Sequence, residues 1–169
     1  MKSCPRVLII IGSSSDLSVV SGAIEILEEF KVPYRMTVSS AHRTPERTVT
    51  LAREAEALGV RVIIAAAGWS AGLPGAIAAE TTLPVVGVPI PSSVLLGMDA
   101  MLSMVQMPPG VPVATMAVGQ GGARNAALFA IQIIANEFSE LKLLLHAYKK
   151  NLSNKVIQDA QQAERVYSP

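Results

Sequence analysis

Arg6-Val7-Leu8-Ile9-Ile10-Ile11-Gly12-Ser13-Ser14-Ser15-Asp16 is the stretch that decides the fold. Its first six residues form a continuous apolar, largely β-branched run, the signature of a strand buried on both faces of a parallel sheet. A small, polar, bendable segment follows at once and leads into a helix predicted over 17–30, where Val20, Ala23, Leu27 and Phe30 share one face. A Gly/Ser loop between a first strand and a helix N-terminus is a place where N–H groups and hydroxyls hold a phosphate. Gly12, Ser13 and Ser15 are its candidate residues. Asp16 has two readings, a helix N-cap with no further task or an acceptor for ribose hydroxyls.

The same pattern repeats outward along the chain. Apolar runs at 34–38, 60–67, 84–88 and 113–118 predict four more strands. Helical spacing is found over 45–58, which Gly59 stops, and over 76–80, 98–107 and 123–138. From Glu140 a long final helix carries Leu141, Leu145, Tyr148, Leu152 and Val156 at steps of four or three, an amphipathic stripe suited to an arm over a neighbouring subunit. Strands alternating with helices mean an α/β protein, a three-layer αβα sandwich around a parallel sheet of about five strands with a long C-terminal helix. A length of 169 residues suits one domain, residues 1–169, with an α/β core over 1–138 and a helical arm over 139–169.

In such a fold the loops after the strands gather on one edge, and that is where the chemistry-bearing residues lie. Ser40-Ala41-His42-Arg43-Thr44-Pro45 follows the second strand. Of the two histidines, His42 alone stands beside a strand end, as a candidate acid/base or merely as a polar loop residue. Arg43 offers a fixed charge and a fork of donors suited to phosphate or carboxylate. Thr44 reads as an N-cap and Pro45 as the first residue of a helix. After the third strand come Ala67 and then Gly68-Trp69-Ser70-Ala71-Gly72-Leu73-Pro74-Gly75, whose glycines allow either a close backbone approach to a ligand or simply a tight turn. Gly119-Gln120-Gly121-Gly122-Ala123 is not a dinucleotide fingerprint, because it follows the fifth strand rather than the first. The ligand expected at this edge is a small phosphorylated molecule.

Composition narrows the class. The chain is 50% hydrophobic and 16% charged with a net charge of +1, so part of its apolar surface is expected to meet other subunits. The absence of a basic cluster and an aromatic content of 4% argue against nucleic acid as a partner. No apolar run has the length of a membrane span and no secretory pattern opens the chain. A single cysteine, Cys4, rules out an intrachain disulfide, and the cytoplasm is the expected compartment.

The blocks Gly12 to Asp16, Ser40 to Pro45, Ala67-Gly68 through Leu73-Pro74-Gly75, Gly87-Val88-Pro89, and Val105-Gln106-Met107-Pro108 through Thr115 together resemble the N5-carboxyaminoimidazole ribonucleotide mutase family, the catalytic-subunit type of phosphoribosylaminoimidazole carboxylase from purine biosynthesis. The similarity runs over nearly the whole chain in the same order. It implies a flavodoxin-like fold assembled as a homo-octamer, a ribonucleotide substrate and carbon dioxide as partners, and no metal or organic cofactor. By the resemblance Ser13 and Asp16 bind phosphate and ribose, Ser40 and Arg43 hold the phosphate end, and His42 is the general acid/base. The migrating carboxylate would lie along the backbone of Gly68 to Leu73, with Gly68, Trp69, Ser70, Gly72 and Leu73 as the candidate binding residues.

The third loop departs from the family pattern, which has a histidine where this chain has Gly72. The related animal-type carboxylases, which take free carbon dioxide, also lack that histidine and carry serine at the position of Ser70. Arg43 and Gln106-Met107-Pro108 side with the mutases, Gln120 to Asn125 departs from the usual Lys-Ala-Gly pattern, and Trp69 puts bulk at the site's mouth. Direct carboxylation of aminoimidazole ribonucleotide, and a paralogue acting on another azole nucleotide, therefore stay open as alternatives. So do two readings without catalysis: a nucleotide or flavin carrier on the same fold, and an oligomeric scaffold whose site has decayed.

Overall fold

Every solidly apolar run becomes a strand of one parallel sheet in the computed structural model, which describes residues 4–166. Residues 1–3 and 167–169, the two ends of the expected domain, lie outside the described residues. The strands are β1 (Val7–Ile11), β2 (Tyr34–Val38), β3 (Val62–Ala67), β4 (Val85–Pro89) and β5 (Ala114–Thr115). Their spatial order is β2-β1-β3-β4-β5, with every neighbouring pair parallel. This is the flavodoxin-like order, in which the chain leaves β1 toward one edge and returns to β1's other side with β3, leaving a crevice at that switch point.

Burial on both faces explains why β1 and β3 read as unbroken apolar runs. Val7, Ile9 and Ile11 of β1 and Val62, Ile64 and Ala66 of β3 point into one core. Leu8 and Ile10, with Ile63, Ala65 and Ala67, point into the other. The first core is covered by α1 (Leu17–Glu29), α5 (Gln120–Ile134) and the start of α6 (Ser139–Val166), the second by α2 (Pro45–Glu54), α3 (Leu73–Ala78) and α4 (Met98–Val105). Helices α1 and α5 approach closely. A Cβ at Gly22 would stand 2.8 Å from Arg124 Cγ and 3.1 Å from the Gln120 carbonyl, and α5 meets that face with Ala123, Ala126, Ala127 and Ala130.

Several boundaries differ from those expected. β5 has two residues instead of six, because it is an edge strand: proline at 112 has no N–H for the ladder, and past Thr115 the N–H groups that reach β4 are those of Met116, at the Gly87 carbonyl, and of Gly119, at the Pro89 carbonyl. β2 is the other edge, and Arg35, Met36 and Val38 are exposed. α2 ends at Glu54, with the chain carried by turns to Gly59, whose φ of +88° is the left-handed stop expected there. α3 begins at Leu73, three residues early, with Pro74 in its first turn. Gln120, Gly121 and Gly122 are the first turn of α5 rather than a loop. A 3-10 turn, Ser14–Asp16, stands between β1 and α1.

The stripe on α6 is used only in part. Leu141, Leu145 and Tyr148 pack on the first core, with the Tyr148 ring 5.5 Å from that of Phe30, whereas Leu152, Val156 and Ile157 are exposed. Among the described residues no helix is long and apolar enough to cross a membrane.

Removing a fully buried side chain from the first core leaves a cavity that the packed strands cannot close. Ile64→Ala is expected to lower stability by about 2–5 kcal/mol, while Val38→Ala on the exposed edge costs less than about 1 kcal/mol. Urea unfolding of both variants at one protein concentration checks the ranking, and equal losses would contradict it.

Candidate functional site

The loops after β1, β2, β3 and β4 meet around a cavity of about 510 Å³ at the carboxyl ends of the strands. Gly12, Ser13, Ser15 and Asp16 reach it from the first loop, and Ser40, Ala41, His42 and Arg43 from the second. The stretch from Ala67 to Leu73 closes it from the third, with Trp69, Ser70 and Gly72 on the wall. Each residue picked out in the sequence thus lies on one surface. The glycine-rich segment after β5 does not; its Gly119 N–H donates instead to the Pro89 carbonyl, which ties the start of α5 to the end of β4.

The first loop is a closed capping box. Ser13 Oγ accepts from the Ser15 N–H at 3.4 Å and the Asp16 carboxylate accepts from the Ser13 N–H at 3.0 Å, so Asp16 finishes the 3-10 turn and does not cap α1 with its side chain. The Ser15 hydroxyl also donates to Asp16 Oδ1 at 3.3 Å. Only 6% of Asp16 is exposed. Burial raises its pKa above the usual carboxylate value, against the opposing pull of the Ser13 and Ser15 hydrogen bonds and of the Arg43 charge. A carboxylate kept buried on a cavity wall is the kind of costly arrangement that clusters at functional sites.

The second loop hangs on hydroxyls. Thr44 begins α2 but makes no side-chain cap; its hydroxyl donates to the Ser40 carbonyl at 3.1 Å and accepts from the Ser40 N–H at 3.0 Å, pinning the loop across its own base. Beneath it the buried hydroxyls of Ser39 and Thr48 bond at 2.8 Å. Arg43 crosses to the first loop, where Nη2 donates to the Gly12 carbonyl at 3.2 Å while Nε donates to Ser40 Oγ at 3.4 Å. It has no carboxylate in ion-pair contact among the described residues, so its charge is left for an anion from solvent.

His42 is exposed on the cavity wall and forms no hydrogen bond among the described residues. Its ring faces Gly72: a Cβ there would lie 3.5 Å from His42 Nε2 and 3.7 Å from Cε1, an ordinary contact. Gly72 has φ −71° and ψ −11°, so the backbone does not demand glycine, and what the residue provides is open space beside the imidazole. Trp69 takes a left-handed φ of +55°, a strain of about 1–3 kcal/mol held by the surrounding loop, and its side chain stands exposed at the mouth. Among the described residues no three His, Cys, Asp or Glu side chains gather as a metal site.

Sequence reading missed three contributors. Ser92 lines the cavity, and Ser39 and Thr48 support the second loop from below. Ser92 follows a strand end and was open to the same rule that found the others. Thr48 reads as an unremarked position on α2, and nothing local marks it.

Residues 6–155 match the family described as AIR carboxylase. The chain is 52% identical over 162 residues to an N5-carboxyaminoimidazole ribonucleotide mutase of Pyrococcus horikoshii, covering 96% of this chain and 90% of that one. It is 48% identical over 162 residues to the mutase of the same name from Thermotoga maritima, covering 96% and 94%. Among solved structures it resembles Treponema denticola PurE with a TM-score of 0.84 at 30% identity, over 94% of this chain and 98% of that one.

The raised pKa of Asp16 gives a signed expectation. Its folded value lies above the unfolded one, so the folded protein holds that proton more tightly, and stability falls as pH rises from about 3.8 through the folded value. Asp16→Asn keeps an acceptor for the Ser13 N–H without a buried charge. Its melting temperature at pH 7 should equal or exceed that of the wild type, with the difference closing as pH drops toward 3.8. A variant that melts lower at pH 7 would contradict this account.

Proposed function

The chain belongs to the AIR carboxylase family, and from that premise we propose that it converts N5-carboxyaminoimidazole ribonucleotide to 4-carboxyaminoimidazole ribonucleotide, a carboxylate transfer of purine biosynthesis. The observation that carries the proposal to this chain is the meeting of four strand-end loops on one cavity, with a guanidinium free of carboxylate contact among the described residues, a buried carboxylate and a histidine.

The residues divide the substrate among them. Arg43, Ser13 and Ser40 receive the phosphate, where the charge and hydroxyls stand beside the first loop. Asp16 accepts from the ribose hydroxyls. That places the aminoimidazole toward His42, with the migrating carboxylate along the backbone of Gly68 to Leu73. The bond from N5 to the carboxylate carbon breaks with its electron pair left on nitrogen, which takes a proton from His42, and carbon dioxide is released inside the site. C4 of the electron-rich ring attacks that carbon dioxide, and His42 recovers a proton from C4. One bond to carbon is lost and one gained, no electrons enter or leave, and the protein's tasks are orientation and exclusion of water.

The open space at Gly72 favours a second reading, in which free carbon dioxide enters beside His42 and carboxylates aminoimidazole ribonucleotide directly. The proposal also includes assembly as a homo-octamer. Val94 is 94% exposed and Leu96 77%, and the apolar stripe of α6 continues uncovered past Leu152, which is more apolar surface than a monomer ordinarily leaves in water.

Purified protein is given N5-carboxyaminoimidazole ribonucleotide in one assay, and aminoimidazole ribonucleotide with bicarbonate and carbon dioxide in another, while formation of the C4-carboxylated product is followed. Turnover of the first is expected; turnover of the second alone would establish the direct carboxylase, and turnover of neither would remove the proposal. His42→Asn is expected to lower kcat by about 10²–10⁴-fold, the usual worth of a general acid/base, while substrate still raises the variant's melting temperature. Full activity in that variant would remove His42 from the mechanism.

A further inference from the structure

We propose that Ser92 holds the migrating carboxyl group through its hydroxyl and keeps the released carbon dioxide from leaving the site, a role that rests on the mutase reading above.

The backbone carries Ser92 to a fixed place. At the end of β4 the Ile90 N–H donates to the Ala67 carbonyl at 2.9 Å, one ladder bond beyond the strand and beside the third loop. The Ser92 N–H then donates back to the Ile90 carbonyl at 2.9 Å, closing a turn around Pro91, and Pro89 and Pro91 restrict the backbone on either side of Ile90. Two hydrogen bonds and two proline rings therefore set where this side chain can be.

That place is a gap made for it. A Cβ on residue 68 would stand 1.8 Å from Ser92 Oγ and 3.0 Å from its Cβ, so the serine hydroxyl fills the room that any other residue at 68 would take. Gly68 has no left-handed φ. The glycine is required by the close approach and not by the backbone. The hydroxyl lines the cavity on an exposed residue and forms no hydrogen bond among the described residues, so it is free to donate to a ligand.

The charge pattern says which acceptor. Arg43, His42 and Asp16 reach the cavity from the first two loops, whereas the wall made by the third and fourth loops offers only uncharged groups: the hydroxyls of Ser70 and Ser92, the side chains of Trp69 and Leu73, and backbone. A carboxyl group that passes through neutral carbon dioxide is served by that neutrality. A fixed cation on this wall, unlike a histidine that gives up its proton as the bond breaks, would hold the starting carboxylate more tightly than the nearly neutral species that follows, and so raise the barrier. A hydroxyl orients the carboxylate, loses little when the charge goes, and donates again when the charge returns on C4.

The test uses the whole protein and its substrate. With N5-carboxyaminoimidazole ribonucleotide, both products are measured: the C4-carboxylated nucleotide, and aminoimidazole ribonucleotide left by carbon dioxide that escapes, after subtracting loss without protein. In Ser92→Ala, kcat is expected to fall about tenfold, as for one lost hydrogen bond, with a smaller change in KM and a larger escaped fraction. Ser92→Thr keeps the hydroxyl and should restore the wild-type partition. Gly68→Ala pushes a methyl into the hydroxyl's place and should leak like Ser92→Ala, with melting curves showing that each variant is folded. An unchanged partition in Ser92→Ala, with or without a loss of rate, overturns the proposal while leaving the mutase reading standing. A wild-type protein that does not convert N5-carboxyaminoimidazole ribonucleotide to the C4-carboxylated product overturns both.

Discussion

The register of β2, β1 and β3 is the constraint on which the site depends. Ile11 of β1 stands opposite Val38 of β2 on one side and Ala66 of β3 on the other, so the three strands end at one level. The ladder then runs one residue further at each end: the Gly12 N–H donates to Ala66, the Ser39 N–H to Ile11, and the Ile90 N–H to Ala67, at 3.0, 3.0 and 2.9 Å. Four loops are thereby released at the same height around the point where the strand order reverses. A slip of one residue in any of these pairs would turn a strand's faces over and carry its loop out of the cavity. The apolar runs that looked like ordinary core are for this reason also what aligns the polar loops.

On that frame the charges are set at one end. Arg43 reaches over the first loop to the Gly12 carbonyl and has no carboxylate in ion-pair contact among the described residues, while Asp16 of the same loop has its own charge raised in cost by burial. The Ser13 N–H, the Ser15 hydroxyl and the Arg43 field each offset part of that cost, so a group that destabilises the fold when ionised is kept by neighbours that also face the cavity. In the proposed reaction this polarity sorts the substrate, the charged phosphate to the charged end and the group that must become neutral to the uncharged one.

What the sequence made legible was what is written locally. Runs such as Val7 to Ile11 and Val62 to Ala67, followed at once by glycine, announce buried strands and the loops that carry chemistry, and the residues on those loops do meet. Edges were less legible. Residues 113–118 have the composition of a strand, but strand length is set by the partner, and β4 offers only the pairings Val86 with Ala114 and Gly87 with Thr115. Side-chain partners across the loops were not legible either. Thr44 has the sequence of an N-cap and spends its hydroxyl on Ser40 instead, and the Ser39–Thr48 bond joins a strand end to a helix nine residues away. The burial of Asp16 is likewise a property of what packs over it.

Gly68 and Gly72 show where the limit lies. Four residues apart in one loop, they are the same letter and support the same inference, that backbone comes close to a ligand. In the folded protein they do opposite things. The space at Gly68 is already occupied by a hydroxyl brought from beyond β4, so a side chain there must displace Ser92; the space at Gly72 is left open beside His42, and a Cβ would enter it at ordinary contact distance. The first glycine therefore fixes a group that the site uses, and the second leaves the width of the site unfilled next to its histidine. Position 72 can vary among proteins of this fold without strain and change what fits beside the ring, whereas position 68 cannot vary unless residue 92 varies with it. The two glycines are told apart only by what the sheet places over each of them.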